Sequence, residues 1–139
     1  MAASVRCSGT VCRVSSVLNR DIKQFGKQFL FDGREETCWH SDQGSSQWIL
    51  LEFPQPVLVT QVSIQFQGGF SSKTCTLEGC QKEEELKRIS EFYPEDSNTL
   101  QIFNFPAHTI HKLRISFQNS ADFFGRIVIY HLDVLGQKQ

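Results

Sequence analysis

The stretch Leu58–Phe66, LVTQVSIQF, places Leu58, Val62, Ile64 and Phe66 at one parity and Gln61, Ser63 and Gln65 at the other. Successive side chains of an extended chain point to opposite faces, so this spacing predicts a half-buried antiparallel strand with its apolar set inward. The stretch KLRISF, residues 112–117, repeats the pattern, with Leu113, Ile115 and Phe117 inward and Lys112, Arg114 and Ser116 outward. Near the C-terminus, RIVIYHLDVLG reads as a last strand with Val128, Tyr130, Leu132 and Val134 inward and His131 and Asp133 outward. Further out, segments 47–53, 73–79, 86–93 and 99–105 read as strands separated by Pro, Gly or charged turns. The one helical hint, KQFLFD at residues 27–32, is long enough for about one turn. Strands at this even spacing, with no helices between them, predict an all-β antiparallel sandwich or barrel forming one domain over residues 1–139.

Composition narrows the function classes. Of 139 residues, 40% are hydrophobic and 21% charged, the balance of an ordinary globular chain, and 12 are Phe, an enrichment that favours pleated surfaces. A formal net charge of -1 removes the overall electrostatic warrant for displacing the counterions of a nucleic acid, so direct nucleic-acid binding is not expected, a local basic patch being still open. The first sixteen residues lack the apolar core of a secretory signal, and no apolar run reaches membrane-spanning length, so no membrane span is expected. Five cysteines, Cys7, Cys12, Cys38, Cys75 and Cys80, form an odd set that fits reduced thiols in the cytosol or nucleus. Cys7/Cys12 and Cys75/Cys80 have zinc-ligand spacing, but odd spacing along a strand points the second pair to opposite faces.

The segment Leu30–Trp48, LFDGREETCWHSDQGSSQW, gathers two Trp, a Cys, a His and several carboxylates. His40, Ser41 and Asp42 are the residue types of a hydrolase triad, yet neighbours on an extended chain face apart, so the trio is read as coincidence and no catalysis is expected. Asp32 before Gly33 has the form of an Asx turn. Two turns carry exposed-looking aromatics. FQGGFSSK sets Phe70 after Gly-Gly with Lys73 following, and SADFFGR sets Phe123 and Phe124 before Gly125 and Arg126. Exposed Phe is costly unless a partner covers it, which makes Phe70, Lys73, Phe123, Phe124 and Arg126 the candidate ligand or partner contacts.

On these residues the chain resembles the discoidin, or coagulation factor C-type, galactose-binding-like family. The carriers are FDG, Thr37, Trp39, SD and QW in the opening segment, and a closing strand that ends Val-x-Gly. That resemblance implies a jelly roll whose loops at one end hold glycans, acidic lipid surfaces or proteins, with Trp39 and Trp48 anchoring the core and Gly33 making the turn. It also raises a structural calcium, for which Asp32 and Thr37 hold the matching positions while His131 replaces the acidic residue often found in the closing strand. A narrower likeness, on RVSSVLNR, EETCW, FQGGFSS, FYPED and DFFGR in that order, is to a family of small single-domain partners of an orphan nuclear receptor. It implies a transcriptional repressor, placed in the nucleus with the cytoplasm as a second location, that hinders receptor binding to DNA response elements. No Leu-x-x-Leu-Leu helix is present, so receptor binding would use a folded surface. The alternatives are a carbohydrate or acidic-lipid binding module and an adaptor subunit of an intracellular assembly.

Overall fold

The computed structural model describes residues 3–138. Its strands are β1 (Ala3–Ser4), β2 (Val11–Val14), β3 (Trp39–His40), β4 (Ser46–Phe66), β5 (Ser72–Cys80), β6 (Lys87–Phe92), β7 (Leu100–Ser120) and β8 (Val128–Lys138). Between β2 and β3 lies one α-helical turn, α1 (Ile22–Phe25), with 3-10 turns at Leu18–Arg20 and Lys27–Leu30. The second 3-10 turn is the helical hint at residues 27–32; α1 was not legible, because four residues with one cap carry no periodic signal. That cap is Asp21, whose carboxylate accepts the Gln24 N–H.

All pairings are antiparallel, and the fold is the all-β galactose-binding-like jelly roll, with a sheet that does not close. Segments 47–53 and 58–66 join into the single long β4, and 99–105 and 112–117 into β7. Each long strand serves both layers. The first half of β4 pairs with the second half of β7, and beyond a register break at Glu52/Val57 its second half pairs with the first half of β7. One layer runs β2, β4, β7, β5, β6; the other runs β7, β4, β8, β1, with β3 also on β8. Pro54 and Pro56 fall at the crossing, where a missing N–H costs no ladder bond.

Two bulges correct the expected inward faces. Between Val59 and Gln61 the register with β8 slips, leaving Thr60 unopposed, so Val57 and Val59 are buried before the bulge and Val62, Ile64 and Phe66 after it. Leu58, expected inward, is therefore only half-buried. In β8 the slip lies at Tyr130: Ile127, Val128, Ile129, Leu132 and Val134 are buried, Val128 as expected, and Tyr130 turns outward to donate its hydroxyl to Gln67 Oε1 at 3.0 Å. An extra residue inverts the parity of everything beyond it, and strict alternation cannot foresee that.

The buried apolar side chains form one cluster between the layers, with Leu113, Ile115 and Phe117 in it as expected. Trp39 is fully buried, tilted at 47° to the Phe117 ring with 6.2 Å between centroids, and donates its indole N–H to the Ser16 carbonyl at 3.0 Å. A buried ring system of that size contributes about 3 kcal/mol. Trp48 departs from its expected anchoring role. It lies half-buried on the outer side of β4, because Gln47, Ile49, Leu51 and Phe53 take the inward parity. Gln47 is buried with its oxygen accepting from the Ser15 and Ser16 hydroxyls and its amide donating to the Asp42 carbonyl at 3.0 Å. All five cysteines are free thiols, and burial pushes Cys75 up to about 12 and Cys12 up to about 11. No helix among the described residues is long and apolar enough to cross a membrane.

Candidate binding surface at the loop end

Three loops converge at one end of the sandwich, residues 41–45, 67–71 and 121–127. Backbone bonds tie them: Gly44 N–H to the Phe124 carbonyl at 3.0 Å, Ala121 N–H to Ser71 at 2.8 Å, and Val128 N–H to Phe70 at 3.1 Å. Ser41 completes the knot, since its buried hydroxyl accepts the Ile127 N–H at 2.8 Å and donates to the Asp42 carbonyl at 2.9 Å. His40 turns Nδ1 to the Ser41 carbonyl, at 2.8 Å, rather than to the Ser41 hydroxyl. The Asp42 carboxylate accepts the Gln43 N–H at 2.9 Å, so each of the three side chains bonds to loop backbone.

The Phe70 loop is braced from the 93–99 loop. Asp96 accepts the Gly69 N–H and the Ser71 hydroxyl, both at 2.8 Å, and Asn98 accepts the Gly68 N–H at 2.7 Å. The Gly69 N–H, with the Ser71 hydroxyl, holds the Asp96 carboxyl below the usual aspartate range. Phe70 itself is half-buried, 5.9 Å from the His40 ring, which stands 5.3 Å from Phe25.

The 121–127 loop is braced from within. Asp122 and Arg126 form a two-point ion pair, Nε to Oδ2 at 2.8 Å and the terminal guanidinium nitrogen to Oδ1 at 3.0 Å. That hydrogen bond from Arg126 holds the Asp122 carboxyl below its ordinary range. Gly125 takes φ of +82°, and a Cβ there would run into the Gly44 carbonyl, so only glycine permits this closure. The Arg126 guanidinium lies 5.3 Å from the Phe70 ring and 5.5 Å from the Phe124 ring, bridging the two aromatic loops. Phe124 is half-exposed and meets Phe123 edge to face at 5.3 Å; Phe123 is 94% exposed. A cleft of about 510 Å³ opens on one side of the pair, against Gln43, Gly44, Asn119 and Asp122. A second cleft of about 280 Å³ is lined by Phe124 with Leu18, Asn19, Asp42 and Arg126.

Of the residues expected to make contacts, Phe70, Phe123, Phe124 and Arg126 come together, whereas Lys73 is exposed on β5 and reaches the group only through its charge on Asp96. His40, Phe25 and Asp122 were missed. The spacing of Asp122 and Arg126 was the available signal for one of them; nothing local signalled Phe25. At the calcium corner, Thr37 donates its hydroxyl to Asp32 Oδ2 and Arg34 N–H bonds Asp32 Oδ1 at 3.0 Å, while Gly33 takes φ of +70°. Slight burial raises the Asp32 pKa, but the Thr37 hydroxyl and the Arg34 N–H and charge outweigh it and hold it low. No group of three His, Cys, Asp or Glu side chains gathers among the described residues. Calcium wants six to eight oxygens; this corner supplies one carboxylate and one hydroxyl bonded to it from its side chains, and backbone carbonyls would have to supply the rest.

These features describe a galactose-binding-like β domain with an aromatic loop end, and comparison with known proteins agrees on the fold. A family model described as a NedA-like, galactose-binding domain, of F5/F8 type C, matches residues 29–115. An F5/8 type C domain from Bacteroides fragilis superposes with a TM-score of 0.85 at 15% identity, covering 99% of this chain and 98% of that one. The family 32 carbohydrate-binding module of Clostridium perfringens NanJ, solved with galactose, gives 0.81 at 14% identity over 98% of this chain and 100% of its own. Two relatives called "Nuclear receptor 2C2-associated protein" are much nearer in sequence. The one from Xenopus laevis is 72% identical over 136 residues, 98% of this chain and 100% of its own. The one from Homo sapiens is 59% identical over 138 residues, 99% of each chain. The chain belongs to the F5/F8 type C galactose-binding family and, within it, to the nuclear receptor 2C2-associated proteins.

Proposed function

We propose that this chain is a non-catalytic protein-binding module whose partner is an orphan nuclear receptor of the 2C2 kind, and that it represses by occluding the receptor's DNA-binding region. One observation carries the reading: Phe123 stands 94% exposed on a turn braced by the Asp122–Arg126 pair. Such an apolar probe on a rigid mount binds with little loss of conformational entropy. The near-neutral charge of the chain fits occlusion of the receptor better than competition for DNA. Its place of action is then the nucleus, with the cytoplasm as a second location. The test is co-purification with the receptor, followed by titration into a receptor–DNA gel shift. Loss of the receptor–DNA complex, restored by Phe123→Ala with Phe124→Ala, is the expected result; unchanged receptor–DNA binding at saturating protein refutes the proposal.

A second reading, glycan binding, is favoured by the 510 Å³ cleft, where aromatic faces meet the polar side chains of Gln43, Asn119 and Asp122. A glycan array with the unmodified chain tests it. Robust binding lost in Phe124→Ala supports it, and a blank array removes it.

A further inference from the structure

The outer side of the β2/β4 edge carries a second surface, whose lining shares no residue with the two loop-end clefts. Here Val14, Val17, Ile22 and the outward-turned Trp48 line an open groove of about 470 Å³, with Arg13 and Lys27 among its remaining walls. Ile22 is 64% exposed although it heads α1, and the Arg13 side chain is 63% exposed. A half-buried indole and an exposed isoleucine beside an open groove are surface that a partner would cover.

Charge identifies the partner. Residues 1–31 hold five cations, Arg6, Arg13, Arg20, Lys23 and Lys27, against one anion, Asp21, in a chain whose formal net charge is -1. Asp21 is engaged as the α1 cap. Among the described residues, Arg20, Lys23 and Lys27 make no salt bridge, and Arg13 meets only Glu52, at 4.0 Å. Two of the five cations, Arg13 and Lys27, line the groove itself, no carboxylate lines it, and the excess negative charge of the chain lies beyond residue 31. A nucleic acid would use the cations but has no need of the apolar floor. A peptide with both acidic and apolar side chains uses both.

We propose that this groove docks an acidic peptide segment of a partner protein, an apolar side chain of the peptide resting on Trp48 between Val17 and Ile22, with flanking carboxylates on Arg13 and Lys27. The surface is independent of the receptor-binding proposal, because neither Phe123 nor Phe124 contributes to it.

The experiment uses the full chain and fluorescein-labelled peptides: one with Asp and Glu around a central Leu-Phe, a copy with Asn and Gln, a copy with Lys, and a labelled DNA duplex. Anisotropy reads affinity, and tryptophan emission reads the site, since Trp39 is fully buried and Trp48 is not. Binding of the acidic peptide alone, with a change in emission and weakening by salt, is the expected result. Lys27→Glu then weakens it about fivefold, Ile22→Asp about tenfold or more, and Phe123→Ala leaves it unchanged. Both groove positions are exposed, so these variants keep the core intact. No binding of the acidic peptide, equal binding of the neutral or Lys copy, preference for the duplex, or loss in Phe123→Ala without loss in the groove variants overturns the proposal.

Discussion

Phe70 and Phe123 sit on neighbouring loops of one mouth, each close to a glycine, and the fold uses them in opposite ways. Phe70 is a pillar: its ring lies between His40 and Arg126, and its carbonyl holds Val128. Phe123 is a probe, touching Phe124 along one edge and otherwise in water. The difference comes from where each loop finds its support. Asp96 and Asn98 reach across from another loop and draw Phe70 in, while the Asp122–Arg126 pair closes the 121–127 turn on itself and leaves its apex free. An aromatic at a loop tip is therefore not a contact residue until its brace is known.

The comparison breaks most completely at the shared support. Gly125→Ala puts a Cβ against the Gly44 carbonyl in a left-handed backbone, and should cost about 3 kcal/mol or more, read as a lowered denaturation midpoint and loss of both clefts. Next comes the pillar itself. Phe70→Ala should cost about 2 kcal/mol by thermal unfolding, whereas Phe123→Ala should change stability by less than about 0.5 kcal/mol and reduce receptor co-purification instead. Equal stability losses in the two variants would erase the distinction drawn between them.

A finer cut separates the brace from the probe by pH. The Asp122 carboxyl is held below the range it has in the unfolded chain, chiefly by the hydrogen bond from Arg126. Its stabilising contribution is therefore complete above the unfolded aspartate pKa and is lost as pH falls through the lower folded value. An acid titration of unfolding free energy should be less steep in Asp122→Asn than in the unmodified chain; parallel curves would show that the pair is not a brace. The smallest effect belongs to the opposite corner. At Asp32 and Thr37, which already bond each other, calcium or a chelator should leave the melting temperature unchanged, and a calcium-dependent rise in midpoint would show a metal site at this corner.

Much of the architecture was legible because burial in a sheet has a period of two. Val62, Ile64 and Phe66, and Leu113, Ile115 and Phe117, announced their faces and are buried. Leu58 and Tyr130 were misplaced for one reason: a bulge adds a residue, and nothing local marks where. Trp48 followed from its parity with Gln47, since a buried glutamine with every polar atom satisfied could displace a tryptophan to the surface. At the mouth, Phe70, Phe123, Phe124 and Arg126 were readable from glycine turns rich in aromatics. His40, Phe25 and Asp122 were not, because each acquires its place through contacts with other loops or within a closed turn.

By itself, the sequence determined that this chain is a near-neutral antiparallel β domain with aromatic loop tips; these are properties of composition and of spacing along the chain. Only the tertiary structure decided which aromatic is a pillar and which a probe, where parity inverts, and that the basic segment borders an apolar groove. Those outcomes depend on distances between residues remote in sequence, set by bulges, loop braces and the crossing of β4 and β7 between layers, and no local pattern encodes them.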